Sequence, residues 1–415
     1  MQSFLYLSPY FPPDTRVGAL RPLKFVRHLP ALGLRPVVLA DAPQGARDER
    51  LLGAIPGDVV VVHDYGRRSR KRLRAQPPRA PLDFSLARSL RKPFEQPELV
   101  PLGPHALDIP HALRAAHRLL ATHRCEAILV NADPFASAVV GALLSRQTGL
   151  PLIVDFRDPW ALCTLRRPLR KSWVSRSVDA LERFVVSTAE SVILNTESVR
   201  STYAAHYAEL EPERFTCIPN HADPTLHAAL PAANGVGQHR FELLFAGTLR
   251  RFVDGEVLLE LLRELAARGH GPDRVGLTIA GNASEPFLAR ALELDLASYV
   301  RLEKPVSYLD VPTLQRQADL LVVLGHRDLQ RIPAKIYDAA LSDRPLLVVS
   351  ENPELRELCT TIGGARVFDH NGVPAMADWI GELLQNGSTS AQRDFGWTSA
   401  KASEKLAEIL QRALT

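Results

Sequence analysis

Cations that follow apolar runs, close to a glycine, are the chain's most chemically suggestive feature. Arg250 and Arg251 come after the run Phe241 to Ala246, separated from it by Gly247-Thr248-Leu249. Lys335 stands in the first turn of a helix expected to begin near Pro333, where unpaired N–H groups also point outward. Such cations and helix starts neutralise the negative charge that grows on a departing diphosphate, and Gly247 lets a ligand approach the backbone. Gly18, after the first apolar run, has no side chain to exclude a phosphate. A second kind of chemistry sits in Asp155-Phe156-Arg157-Asp158-Pro159-Trp160. Arg157 stays protonated and cannot serve as a base, but it can hold an anion. Asp155 and Asp158 either pair with Arg157 or cap a turn. Alternatively one of them is a general base, with Asp158 the better placed to project from the strand end.

Other chemistries have weaker signals. Cys125, Cys163, Cys217 and Cys359 are scattered without close pairs, which argues for plain buried thiols over a zinc site or a disulfide framework. His105, His111, His117 and His123 recur every six residues, a spacing that turns a helix by about 240° and so cannot build one metal-binding face. No metal is expected. Asp41 at the end of the second strand resembles a ribose-binding acid, but the first loop lacks the GxGxxG of a dinucleotide fold.

These residues need a scaffold that presents strand ends. Short apolar runs alternate with helical stretches along most of the 415 residues, the pattern of parallel sheets covered by helices. The first series of strands is expected at Phe4 to Ser8, Pro36 to Ala40, Val59 to His63, Ala127 to Asn131, Leu152 to Phe156 and Ser191 to Asn195. The second is expected at Phe241 to Ala246, Gly276 to Ala280, Val300 to Leu302, Leu320 to Leu324, Pro345 to Val349 and Ala365 to Phe368. Helices are expected at Leu20 to Leu32, Tyr308 to Ala318 and Ala334 to Leu341, among others. The length also favours two domains. We place the first at 1–222, interrupted by a proline- and arginine-rich insertion at 66–110, then a linker at 223–240 and a second domain at 241–395. A helix at 396–415 follows no strand of its own and is expected to pack back on the first domain.

With 46% apolar and 23% charged residues the composition is that of an ordinary globular protein, and the net charge of +4 is modest. The excess is concentrated at Arg67-Arg68-Ser69-Arg70-Lys71-Arg72-Leu73-Arg74, six cations in eight positions. It is either a solvated loop or a patch for an anionic membrane surface. Nucleic acid is not expected, because no aromatic residues are interleaved with the cations. The N-terminus lacks the basic start of a secretory signal, and no run approaches the roughly 18 apolar residues of a membrane span. The expected location is the cytoplasm, peripheral on the inner face of the membrane.

Several segments together resemble the GT-B glycosyltransferases, in particular glycosyltransferase family 4. They are YLSPYFPPDTRVGALRP, PLIVDFRDPW, FTCIPNHAD, FELLFAGTLRR and RIPAKIYDAALSDRPLLVVS, in this order over nearly the whole chain. The resemblance implies two Rossmann-like doubly wound domains facing across a cleft, with a nucleotide sugar, most simply a UDP-sugar, as substrate and no further cofactor. It places Lys335 and Arg250 or Arg251 at the diphosphate. Asp338 stands where the family commonly uses a glutamate to hold the ribose hydroxyls. Two departures are visible. Gln330 replaces an acid of the family's Glu-x7-Glu pattern, and Arg157 replaces a histidine near the donor sugar, where it could bind a phosphate or an acidic sugar.

The function implied is sugar transfer, with retention, to a glycan, lipid-linked or small-molecule acceptor in surface polysaccharide or glycoconjugate assembly. Asp158, Arg157 and Gln330 are the catalytic candidates; Gly18, Gly247, Arg250, Arg251, Lys335 and Asp338 are the donor-binding ones. A nucleotide-sugar epimerase of the same fold is the nearest alternative. A catalytically silent sugar-nucleotide-binding or scaffold protein is an alternative of another class, favoured by Gln330 and Arg157.

Overall fold

The computed structural model describes residues 1–43, 45–66, 101–227, 240–249, 255–326, 329–387 and 396–414. Arg67 to Arg74, Arg250 and Arg251 lie outside the described residues, as do most of the expected insertion and most of the expected linker. The chain forms two compact units, Met1–Pro219 with Ser399–Thr415, and Asn220–Thr398.

The first unit is built on β1 (Gln2–Leu7), β2 (Leu34–Ala40), β3 (Val60–His63), β4 (Cys125–Asn131), β5 (Leu152–Phe156), β6 (Ser191–Leu194) and β7 (Phe215–Cys217). All neighbours are parallel, in the order β3-β2-β1-β4-β5-β6-β7. The central strands are near-continuous apolar runs because both faces of a parallel sheet are covered. The cover comes from α1 (Val17–His28), α2 (Ile109–Thr122), α3 (Ala136–Thr148), α4 (Ser172–Thr188) and α5 (Glu197–His206). The C-terminal helix Ser399–Ala413 packs on α1. The helix expected at Leu20 to Leu32 begins earlier, at Val17, and tightens into a 3-10 turn over Leu29–Leu32, where Pro30 cannot donate to the ladder. It stops at Gly33, whose φ of 80° favours glycine.

The second unit carries β8 (Phe241–Ala246), β9 (Val275–Ala280), β10 (Val300–Glu303), β11 (Leu320–Leu324), β12 (Leu346–Val349) and β13 (Ala365–Phe368). They too are parallel, in the order β10-β9-β8-β11-β12-β13. Its helices are α6 (Pro224–His227), α7 (Glu256–Ala267), α8 (Glu285–Glu293), α9 (Val311–Gln317), α10 (Lys335–Ala339), α11 (Pro353–Thr360) and α12 (Val373–Asn386). The first residues of the expected linker are anchored in this unit. Asp223 is fully buried and accepts from Thr225 N and Oγ1, and Ala222 bridges to Thr398. The helix expected at Tyr308 to Ala318 is a 3-10 turn, Tyr308–Asp310, followed by α9 with Pro312 in its first turn.

In each sheet the strand order reverses once, between β1 and β4 and between β8 and β11. Ligands of open α/β sheets bind outside the strand ends at such reversals. Among the described residues, no helix is long and apolar enough to cross a membrane.

Candidate active site

In the second unit the reversal is occupied by Gly247, Lys335 and Asp338. Gly247 follows β8 directly, with φ of 154°, and its N–H donates to Ala280 O at 2.9 Å. A Cβ there would run into Lys335 Nζ, and a Cβ on Gly281 would run into Gly247 O. The two glycines therefore let the segments after β8 and β9 lie back to back, and Gly247 makes room for a lysine side chain. Lys335 Nζ stands 3.9 Å from the centroid of the Phe245 ring, whose π face is electron-rich. The result is an ammonium group held over the end of β8.

The helix bearing that lysine differs from the sequence expectation. It spans five residues, Lys335–Ala339, instead of Ala334 to Leu341. Its first-turn amides are partly used, because Ile336 N donates to Pro333 O at 3.1 Å and Tyr337 N to Ala334 O at 3.3 Å. Proline at 333 and these tight turns leave little of a helix N-terminus, so the positive charge must come from Lys335 itself.

Asp338 is 9% exposed, and its Oδ1 accepts from Tyr308 Oη at 2.7 Å. Burial, reinforced by the Asp338 charge, holds the Tyr308 hydroxyl well above its ordinary pKa, so it stays a donor. Gln330 is half-buried in the turn ahead of α10. Asn352 pins that turn, donating from Nδ2 to Leu329 O at 3.0 Å and to Arg331 O at 3.3 Å. Its Oδ1 caps α11 by accepting from Glu354 N and Leu355 N. Asn-Pro-Glu three residues beyond an apolar run is a helix-start signal that marks Asn352 from sequence.

In the first unit the reversal gathers Gly18, Arg157 and a residue that the sequence reading passes over, Asp133. Arg157 Nη1 donates to Asp133 Oδ2 at 2.9 Å. A Cβ on Gly18 would meet Asp133 Oδ2 at 2.6 Å and the Tyr10 ring at 2.7 Å. The space expected for a ligand at Gly18 is thus filled by protein, and the glycine lets Asp133 and Arg157 lie over the start of α1. Burial pushes the Asp133 carboxyl above its ordinary value, with Arg157 opposing and Asp158 adding to the rise. Asp133 still keeps 40% of its side-chain surface open. An acid immediately after the apolar run ending at Asn131 is the signal that could have identified it.

Asp155 does not pair with Arg157. It is buried in a two-pronged ion pair with Arg21, at 2.7 Å from Nε and 3.1 Å from Nη2. Arg21 also donates to Ile218 O and Pro219 O, at 2.9 and 2.8 Å. This removes Asp155 from the candidate bases. Asp158 remains half-buried beside Asp133.

The loop bearing Arg157 and Asp158 is fixed from behind. Glu182, fully buried on α4, accepts from Ala161 N at 2.7 Å, Tyr203 Oη at 2.7 Å and Tyr207 Oη at 2.9 Å. Trp160 N donates to Tyr203 Oη at 3.1 Å, and the Trp160 ring stacks on Phe135 with centroids 5.1 Å apart. Phe135 lies two residues beyond Asp133, so this network sets the loops after β4 and β5 against each other. Desolvation raises the Glu182 pKa, opposed by those three donors.

Residues 19–221 match the family model described as a glycosyl transferase 4-like domain. D-inositol 3-phosphate glycosyltransferase 1 of Catenulispora acidiphila is 23% identical over 66% of this chain and 69% of that protein. The structure of Anabaena HepE in complex with UDP superposes with a TM-score of 0.63 at 17% identity, covering 99% of this chain and 100% of that one. A putative UDP-N-acetylglucosamine 2-epimerase from Listeria monocytogenes gives 0.61 at 13% identity, covering 99% and 95%. The fold likeness to a putative epimerase does not by itself choose an activity, while the family model that matches is described as that of a glycosyl transferase. Two Rossmann-like sheets with reversals at β1/β4 and β8/β11 give this chain the GT-B fold, and its first unit carries a glycosyl transferase 4-like domain.

Proposed function

We propose that the enzyme takes a sugar from a nucleoside diphosphate donor, bound at the β8/β11 reversal, and passes it to a hydroxyl of an acceptor held by the first unit. The observation that carries this reading is the Lys335 ammonium, held over the end of β8 by Phe245 and by the missing side chain at Gly247. A cation fixed there stabilises the diphosphate most when its charge is greatest, as the sugar bond breaks. Asp338, oriented by the hydrogen bond from Tyr308, suits the ribose hydroxyls. Arg250, Arg251 and Gln330 belong to the same reading by their place in the sequence. UDP is the first nucleotide to test, since the HepE structure contains it.

For the acceptor, Arg157 replaces an uncharged donor or base with a permanent cation, which suits an acceptor or sugar bearing an anionic group. A relative named for D-inositol 3-phosphate supports the same class. Asp158 and Asp133 are the carboxylates near enough to Arg157 to receive the acceptor's proton. Transfer with retention, to a glycan or lipid-linked acceptor at the inner face of a membrane, completes the reading. Arg67 to Arg74 would then face anionic lipid. Incubation with UDP-, ADP-, GDP- and dTDP-hexoses tests it. Release of nucleotide that requires an added phosphorylated or lipid-linked acceptor supports transfer. Conversion of the donor sugar with no acceptor present would instead indicate epimerisation.

A further inference from the structure

We propose that the start of α4 and the 3-10 turn before it, Arg167–Leu169, form a docking surface for an anionic lipid bilayer. Between Asp158 and Asp179 the chain carries five cations, Arg166, Arg167, Arg170, Lys171 and Arg176, and no carboxylate. Arg166 lies over the Phe135 ring, 5.7 Å from its centroid, and the structure sorts the other four cations into two groups. Arg167 and Arg170 fasten the segment to the loop after β5. Arg167 Nη1 donates to Ala161 O at 3.2 Å and to Asp179 Oδ1 at 2.9 Å, and Arg170 Nη2 donates to Trp160 O at 2.8 Å. Lys171 and Arg176 are exposed and make no ion pair among the described residues.

Between these two cations stands Trp173, 52% exposed in the first turn of α4, and just before them Leu169, 41% exposed. The opposite face of the helix is buried through Val174, Val178 and Val185. Of the two acids of α4, Glu182 is buried in the tyrosine network, and Asp179, though partly exposed, is neutralised by its pair with Arg167. What faces outward is an indole and an isobutyl group flanked by unneutralised cations. Indole rings settle at the headgroup level of a bilayer, and apolar side chains flanked by cations are what an anionic interface rewards. A protein partner with a neutral groove would gain nothing from the cations. The charge complement therefore favours lipid headgroups.

Arg67 to Arg74 lie outside the described residues, and the inference rests neither on them nor on the donor reading. The test is flotation of the full-length chain with vesicles of phosphatidylcholine alone and with vesicles containing one third phosphatidylglycerol. It is run both on the natural sequence and on a background in which Arg67 to Arg74 are neutralised. In each background K171Q/R176Q should lower partitioning onto anionic vesicles by about 25-fold, roughly fivefold per cation, with the effect fading as salt rises. Bromine-labelled acyl chains should quench fluorescence in the natural sequence, and W173A should remove most of that quenching. Partitioning that is unchanged by K171Q/R176Q, or equal on neutral and anionic vesicles, overturns the proposal. A surface serving another protein or a second copy of the chain would give that result. Nucleotide binding by the same variants reports separately on the donor site and should stay at the natural level.

Discussion

Replacing Glu182 is the sharpest test of how the first unit holds its site loop. In E182A three donors, Ala161 N–H, Tyr203 Oη and Tyr207 Oη, lose their acceptor in a region where Tyr203 and Tyr207 are at most 1% exposed. An unsatisfied buried donor costs about 1–3 kcal/mol, so three could cost about 3–9 kcal/mol before any water enters the cavity. The carboxylate's own desolvation is relieved at the same time, so we expect a net loss of about 3–5 kcal/mol. E182Q behaves differently. Its carbonyl oxygen can take the place of Oε2 and keep the bonds from Ala161 and Tyr203, while its amide meets a Tyr207 hydroxyl that can accept. We expect E182Q to stay within about 1 kcal/mol of the natural protein. Urea unfolding followed by fluorescence and circular dichroism measures both, and Trp160, buried beside this network, reports on the first unit. Equal stability of E182A and the natural chain would refute the reasoning. A loss in E182Q as large as in E182A would show that charge, and not acceptance of hydrogen bonds, holds the loop.

Three further outcomes follow from the same geometry. The Glu182 carboxyl titrates above its unfolded value of about 4.3, so the folded state binds the proton more readily and this group's contribution to stability falls as pH rises through the interval. The natural protein should therefore lose stability relative to E182Q on going from acid to neutral pH, a difference read from urea midpoints across pH. D155A, which strands the buried Arg21 guanidinium, should cost about 3–5 kcal/mol, while the double variant R21M/D155L should cost less than the sum of its single changes; thermal unfolding of the four proteins decides this. If Asp133 acts on the acceptor as proposed, D133N should leave stability within about 1 kcal/mol and lower the rate of transfer more than donor affinity; steady-state kinetics with donor and acceptor varied separately measures the split.

The architecture is readable in the sequence because buried parallel strands are nearly unbroken apolar runs. Leu152–Phe156, Phe241–Ala246, Leu320–Leu324 and Ala365–Phe368 fall where those runs predict. β7 does not announce itself, since three residues between Pro212 and Pro219 carry too little periodicity to distinguish a strand from a loop. Gly247, directly after an apolar run, and Lys335, just beyond Pro333, stand out in the sequence as candidates. Their contact does not, because it joins positions 88 residues apart through a missing side chain. Long-range pairing hides the rest. Asp155 has Arg157 two residues away yet binds Arg21, 134 positions distant, since only the parallel sheet brings β5 beside the start of α1. Glu182 resembles a helix-surface acid until the valines around it are seen to face inward.

The central claim is that Lys335, set over β8 by Gly247 and Phe245, receives the donor's diphosphate. Isothermal titration of UDP and a UDP-sugar into the natural protein and K335A tests it most directly, with circular dichroism confirming that the variant is folded. A hydrogen bond to a charged group contributes about 1.5–3 kcal/mol, so K335A should bind the nucleotide roughly tenfold to a hundredfold more weakly. Undiminished affinity in K335A would place the donor elsewhere and contradict the account.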